Sequence, residues 1–177
     1  MNILSYLLLI SSVIAAGFAA TISDVRADIK TVATSMTGFD NAIEKLPAKG
    51  SIFDALAIKS LVDGLERALD KTTTDIKATP APFTDADSIA ILSDVKDVKP
   101  TILHILSNSI TKKSNILNLP VPGINGLIRD SMQSLQGKVN NFENALIAAS
   151  ADSVKLEGVA LKAELDAEFL KTIKAYS

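Results

Sequence analysis

The side chains able to do chemistry are few, and their spacing does not suit it. The chain has a single histidine, His104, and no cysteine. A two-histidine metal site, a thiolate zinc site and a disulfide framework are therefore excluded, and no metal or cofactor is expected. His104 lies between Leu103 and Ile105 on a helix-like stretch, which suits a partly buried structural imidazole better than a catalytic base. Asp94 and Asp97 have the spacing of a carboxylate pair on one helix face. Lys96 and Lys99 interleave with them, however, as on a solvated face. No G-x-S-x-G elbow, phosphate-binding loop or G-x-G-x-x-G fingerprint occurs. These residues argue against an enzyme.

The composition points the same way. Of 177 residues, 47% are apolar but only 5% aromatic, with no Trp, so a core must be built from Leu, Ile, Val and Ala. Such side chains suit helix packed on helix. The formal charge is −2 and no basic block appears, so a phosphate-neutralising surface for nucleic acid is not expected.

The first residues are of a different kind. Ile3 to Ala20 carries no charged side chain; its apolar part, Leu4 to Ile10, gives way to Ala15, Ala16, Gly17, Ala19 and Ala20. That is the layout of a signal peptide over residues 1–19, with Gly17 and Ala19 as the small residues before the cut. The competing reading is a membrane anchor, since about 18 apolar residues can just span a bilayer. Small residues end the run and no Lys or Arg flanks it, which favours secretion. Residues 20–177 are then one mature domain with no transmembrane segment, large enough to bury a core.

The mature chain reads as helices throughout. Ile22, Val25, Ile29, Val32, Met36, Phe39, Ile43 and Leu46 follow a three–four spacing, the stripe of a helix that packs on others. Pro47 to Gly50 breaks it, and Ser51 can cap a second helix marked by Ala55, Ile58, Val62, Leu65, Leu69, Thr72 and Ile76. Pro80 and Pro82 stop that one. Thr84 with Asp87 opens a third, in which Pro100 should produce a kink or a split near Val98. A fourth runs from Ile124 to Ala149 and a fifth from Val154 to Tyr176, although Ala149–Ser150–Ala151–Asp152 is a poor breaker between them. The expected fold is all-α, an antiparallel bundle of about five amphipathic helices with room for an apolar cavity. The segment from Asn115 to Pro122 reads as a loop, yet it carries Ile116, Leu117, Leu119 and Val121. An apolar loop either packs on the bundle end or meets something apolar outside it.

These features together resemble a known family. Thr84–Asp85–Ala86–Asp87 opening a helix, Pro100–Thr101–Ile102 within it, Leu106 and Ile110, then Lys112–Lys113, follow the order seen in the fungal hydrophobic surface-binding protein A family, which includes cell-wall galactomannoproteins. Phe169–Leu170–Lys171–Thr172–Ile173–Lys174–Ala175–Tyr176 looks like that family's C-terminal helix. The resemblance covers Ile22 to Tyr176. It implies secretion, with cell-wall association in some members, adsorption to hydrophobic surfaces and, in some members, fatty-acid binding inside a helical bundle. No Ser/Thr-rich stalk or C-terminal apolar tail follows, so an anchored role is not expected.

Two functions follow. In the first, the protein binds hydrophobic surfaces and holds a fatty acid or similar lipid between its helices. Apolar stripes poor in bulky aromatics, loosened by Gly64, Gly137, Gly158 and Pro100, leave room for an acyl chain. Phe39, Leu65, Leu92, Leu106, Leu135, Phe142 and Leu165 are the expected lipid contacts. Ile116, Leu117, Leu119 and Val121 are expected as a lid or surface loop, and His104 and Arg129 as candidate head-group partners. In the second, the protein is a structural or recruiting one that brings a secreted hydrolase or host partner to a hydrophobic substrate and holds no lipid.

Overall fold

Each of the five apolar stripes forms a long helix in the computed structural model of the chain, which describes residues 19–177. The expected signal peptide therefore lies outside the described residues, except for Ala19. In chain order the helices are α1 (Ile22–Glu44), α2 (Ile52–Ala78), α3 (Asp85–Thr111), α4 (Lys113–Leu117), α5 (Ile124–Ala149) and α6 (Asp152–Ala175). The starts of the first three are fixed locally. Thr21 and Asp24 exchange side-chain and backbone bonds at the head of α1, as Ser51 and Asp54 do at α2. Thr84 accepts from the Asp87 N–H at 3.1 Å at the start of α3.

The long helices close into a ring: α1 packs on α2 and α3, α2 on α5, α5 on α6, and α6 on α3. Successive long helices run in opposite directions, as expected for an antiparallel bundle. The lateral neighbours are mixed. Asp28 on α1 meets Lys71 near the far end of α2, an antiparallel register. Arg26 meets Asp94, and Asp40 meets His104, so α1 and α3 run side by side in the same sense. Lys99 with Glu164, and Ser109 with Tyr176, make α3 and α6 parallel as well. Along the ring axis lies the larger apolar core. Val25, Ile29, Val32, Met36, Phe39 and Ile43 of α1 are at most 4% exposed and face Leu65, Leu69, Ile91, Leu106, Val139 and Leu165. Each such burial contributes about 1.5–3 kcal/mol, which makes packing rather than helix propensity the source of stability.

Three details depart from the sequence reading. The segment expected to be wholly loop begins with the short helix α4, so there are six helices among the described residues rather than five. Pro100 does not split α3, which runs unbroken through it. The ring of Pro100 lies on the exposed side, so the carbonyl left without its donor faces water, and Val98 and Ile102 on the other side are held in the core. The boundary between α5 and α6 is sharp despite its weak sequence signal. Ser88 of α3 accepts the Ala151 N–H at 2.9 Å, and the Phe83 N–H donates to the Ala149 carbonyl at 2.7 Å. Those two bonds from a distant segment hold Ser150 and Ala151 extended.

Candidate functional site

The stripe of α2 is regular from Ala55 to Ile76, but its burial is not. No residue of α2 before Leu65 is fully buried, and none of α5 before Met132. These two half-covered stretches belong to parallel helices that Asp70 and Lys138 tie together at 2.7 Å further along. Towards their N-termini they enclose a cavity of about 490 Å³. Ala55, Ile58 and Val62 form one wall; Ile124, Ile128 and Leu135 form the other; Phe39 and Ile43 of α1 form the back.

The floor comes from the apolar connection. Ile116 and Leu119 are buried with Leu46 and Tyr176 in a second apolar cluster at this end of the bundle, and both line the cavity together with Val121. Leu117 is half-buried against the same cluster. Several polar bonds hold this floor in place. The Tyr176 hydroxyl donates to the Ser109 carbonyl at 2.7 Å, and Asn115 donates to the Leu46 carbonyl at 3.0 Å. Asn125 donates to the Tyr176 carbonyl at 3.1 Å. Burial pushes the Tyr176 phenol up to about 12, so it stays a donor at any ordinary pH. Gly123, with φ of 70°, makes the left-handed turn that leads the floor into α5. A methyl group at Gly50 would sit 2.5 Å from Leu119, so the chain passes close beneath the floor there.

The sequence-derived contacts divide into three groups. Phe39 and Leu135 line the large cavity. Leu92 lines a void of about 40 Å³ toward the other end of the bundle, and Phe142 and Leu165 line one of about 20 Å³ in the middle. Leu65 and Leu106, each 1% exposed, are packed in the core and line none of the three. His104 lies away from the cavity, half exposed, with its Nδ1 at 2.8 Å from both Asp40 oxygens. Arg129 donates Nε and Nη2 to Asp130, which does line the cavity.

The sequence reading assigned no site role to Ala55, Ile58, Val62, Ile124 or Ile128. Nor did it note that Ile52, Phe53 and Leu56 stand exposed at the head of α2, with Leu127 exposed opposite them on α5. Ile52, Leu56 and Leu127 line the cavity mouth, and Phe53 adds exposed apolar surface at the same end of α2. A signal was available: Ile52, Phe53 and Leu56 fall off the α2 stripe, so that part of the helix is apolar on more than one side.

Glu143 was also missed. Its side chain is 8% exposed, neither carboxyl oxygen has a hydrogen-bond partner, and the Lys162 Nζ stays 3.6 Å away. Burial pushes its carboxyl up to about 7; Lys162 opposes this and Asp166 adds to it. Among the described residues no group of His, Asp or Glu side chains is arranged to hold a metal ion, and no helix is long and apolar enough to cross a membrane.

The family model of hydrophobic surface binding protein A matches residues 22–148, which is most of the chain and includes both walls and the floor of the cavity. The chain belongs to that family. No curated protein matches it in sequence. Among solved structures its fold is shared by AFMP4P in complex with palmitic acid, at a TM-score of 0.81 and 22% identity over 88% of this chain and 99% of that one. Ligand binding domain 1 of the Penicillium marneffei MP1 protein, complexed with arachidonic acids, gives 0.78 and 17% over 88% and 99%. Ligand binding domain 2 of the same protein, complexed with multiple arachidonic acids, gives 0.78 and 16% over 88% and 96%. At these identities the likeness is one of fold. Membership in the hydrophobic surface binding protein A family rests on the sequence match.

Proposed function

We infer that this family member is a secreted, non-enzymatic protein that holds one acyl chain, of a fatty acid or similar lipid, in the cavity between α2 and α5. The observation that carries this reading is the apolar cavity of about 490 Å³, which falls within the range of about 300–1,000 Å³ usual for small-molecule sites. The palmitic and arachidonic acids bound by relatives of the same fold support it. In this reading residues 1–19 are removed on secretion and the mature chain begins at Ala20. The floor residues Ile116, Leu119 and Val121, with Leu117 beside them, close one end of the site. The exposed Phe53, Leu56 and Leu127 rest on the hydrophobic surface from which a lipid enters. Burying each methylene contributes about 0.8 kcal/mol, so affinity should rise roughly fourfold per added carbon until the cavity is full.

The recruiting alternative, in which surface contact brings a secreted hydrolase to its substrate, uses the same exposed residues and needs no cavity. Displacement of a fluorescent fatty acid from lipid-stripped protein separates the two. Wild type should bind, and Ile58→Trp and Ile128→Trp, which fill the cavity, should lose at least about tenfold in affinity with helix content and melting temperature preserved. Equal affinity in wild type and both variants would remove the lipid from this cavity. No binding by wild type would leave the recruiting role.

A further inference from the structure

The cavity ends abruptly near the middle of the bundle. On α1 its lining stops at Phe39, and Met36, one turn away, lines the void of about 20 Å³ instead. On α5 it stops at Leu135, and Val139 in the next turn belongs to the void. On α2, Val62 and Glu66 lie on the cavity side and Leu69 on the void side, while Leu65 among them lines neither. The ion pairs Asp28–Lys71 and Asp70–Lys138 set the register of α2 against α1 and α5 and bring Leu65 to about the height of Met36 and Leu135. Leu65 is 1% exposed, and Met36 and Leu135 are 4% exposed, so the layer they form is tightly packed. The void behind it has room for about one water molecule.

The floor closes the opposite end, so the length open to a chain lying along the helices is bounded on both sides. Eleven residues lead from Ile124 to Leu135 on α5, and thirteen from Ile52 to Leu65 on α2. At about 1.5 Å of rise per residue, these walls run for roughly 16–20 Å. An extended hydrocarbon chain advances about 1.25 Å per carbon, given a bond of about 1.5 Å and an angle of about 111°, so about 13–16 carbons fill that length. Further carbons fold back or stand in the mouth between α2 and α5, where water remains, and each adds little apolar burial. We propose that Leu65, level with Met36 and Leu135, is the stop that sets the acyl-chain length this cavity reads. The proposal rests on the cavity being the lipid site and deepens that reading. Longer acids still bind, but their extra carbons go unread. Trimming Leu65 to Ala joins the cavity to the void behind, and the three side-chain carbons removed make room, with that void, for about three to four methylenes.

Displacement of a fluorescent fatty acid from lipid-stripped protein by straight saturated acids of about 10 to 20 carbons, each below its micelle-forming concentration, reads the stop. Wild-type affinity should rise about fourfold per carbon to about 14 carbons, and by less than about 1.5-fold per carbon beyond. In Leu65→Ala, with its helix content checked by circular dichroism, the break should move up by about three to four carbons. Leu65→Val, a milder trim that keeps the fold if Leu65→Ala loses it, should move the break the same way by about one carbon. Val62→Phe fills the cavity just under a turn closer to the floor and should move the break down by about three carbons. Shifts of opposite sign are not what general loosening of the bundle produces. A break at one length in wild type and all variants, or wild-type affinity that climbs evenly through about 20 carbons, would overturn the stop while leaving the lipid site standing. Failure of every acid to bind wild type would overturn the lipid site, and the stop with it.

Discussion

Replacing Glu143 by Gln tests whether the interior is as apolar as the packing implies. Both carboxyl oxygens lie without hydrogen bonds beside Val95, Val139 and Leu161, and the closest cation stands at 3.6 Å. Desolvation therefore favours the neutral acid and pushes the group from 4.5 up to about 7. Because the native state holds this proton more tightly than the unfolded chain does, the stabilising contribution is complete below pH 4.5 and lost as pH rises through about 7. At about 1.4 kcal/mol per pH unit, the interval from 4.5 to about 7 corresponds to a loss of about 3 kcal/mol. An amide resembles the neutral acid and does not titrate. Urea unfolding of wild type and Glu143→Gln, followed by circular dichroism from pH 4 to pH 8, should give similar stabilities at the acid end. The variant should then gain steadily, toward about 3 kcal/mol above pH 7. The difference between the two proteins isolates this group, since every other carboxylate is common to both. A difference that stays constant with pH, or that favours wild type at high pH, would refute the reasoning.

Leu65→Ala should cost about 2–5 kcal/mol because that side chain is enclosed in the core. Ile58→Ala, at a cavity wall that is already open, should cost well under half as much in the same denaturation assay. Tyr176→Phe removes the hydroxyl that donates to the buried Ser109 carbonyl, and should lower stability by about 1–2 kcal/mol with the floor of the cavity loosened, read as faster hydrogen exchange across Lys113–Leu119. Phe53→Ser with Leu56→Ser should weaken adsorption to a hydrophobic bead or film while leaving the melting temperature within a degree or two, since the side chains are 77% and 57% exposed.

The helices were legible in the sequence because each has to bury a stripe, and a stripe leaves a period. Val25, Ile29, Val32, Met36, Phe39 and Ile43 all reached the core from spacing alone. Helix starts at Ser51 and Thr84 were equally local, and Thr21, which the sequence reading did not name, carries the same kind of signal. The break at Ser150 was not, because what holds it is Ser88, a residue more than sixty positions away that captures the Ala151 N–H. The cavity was only half legible for a related reason. Leu65 and Ile58 occupy equivalent places on one stripe. One is 1% exposed and the other lines open space, because α2 and α5 leave room between them toward their N-termini. Periodicity tells which face of a helix turns inward; it carries no measure of how near the opposite helix comes. Glu143 escaped notice because a glutamate among helical positions reads as solvated, and only the arrangement of the whole ring buries it.

The central claim, that the space between α2 and α5 is the lipid site, is tested most directly by where a bound chain touches the protein. A long-chain fatty acid carrying a photoreactive diazirine near its methyl end, bound at one equivalent and irradiated, marks the residues around it for peptide mass spectrometry. The account predicts labels concentrated on Ile58, Val62, Ile128 and Leu135, suppressed by excess unlabelled fatty acid and by Ile58→Trp. Labels on the exposed α6 side chains Leu156, Val159 and Leu170, or scattered over the surface and unchanged by Ile58→Trp, would contradict it.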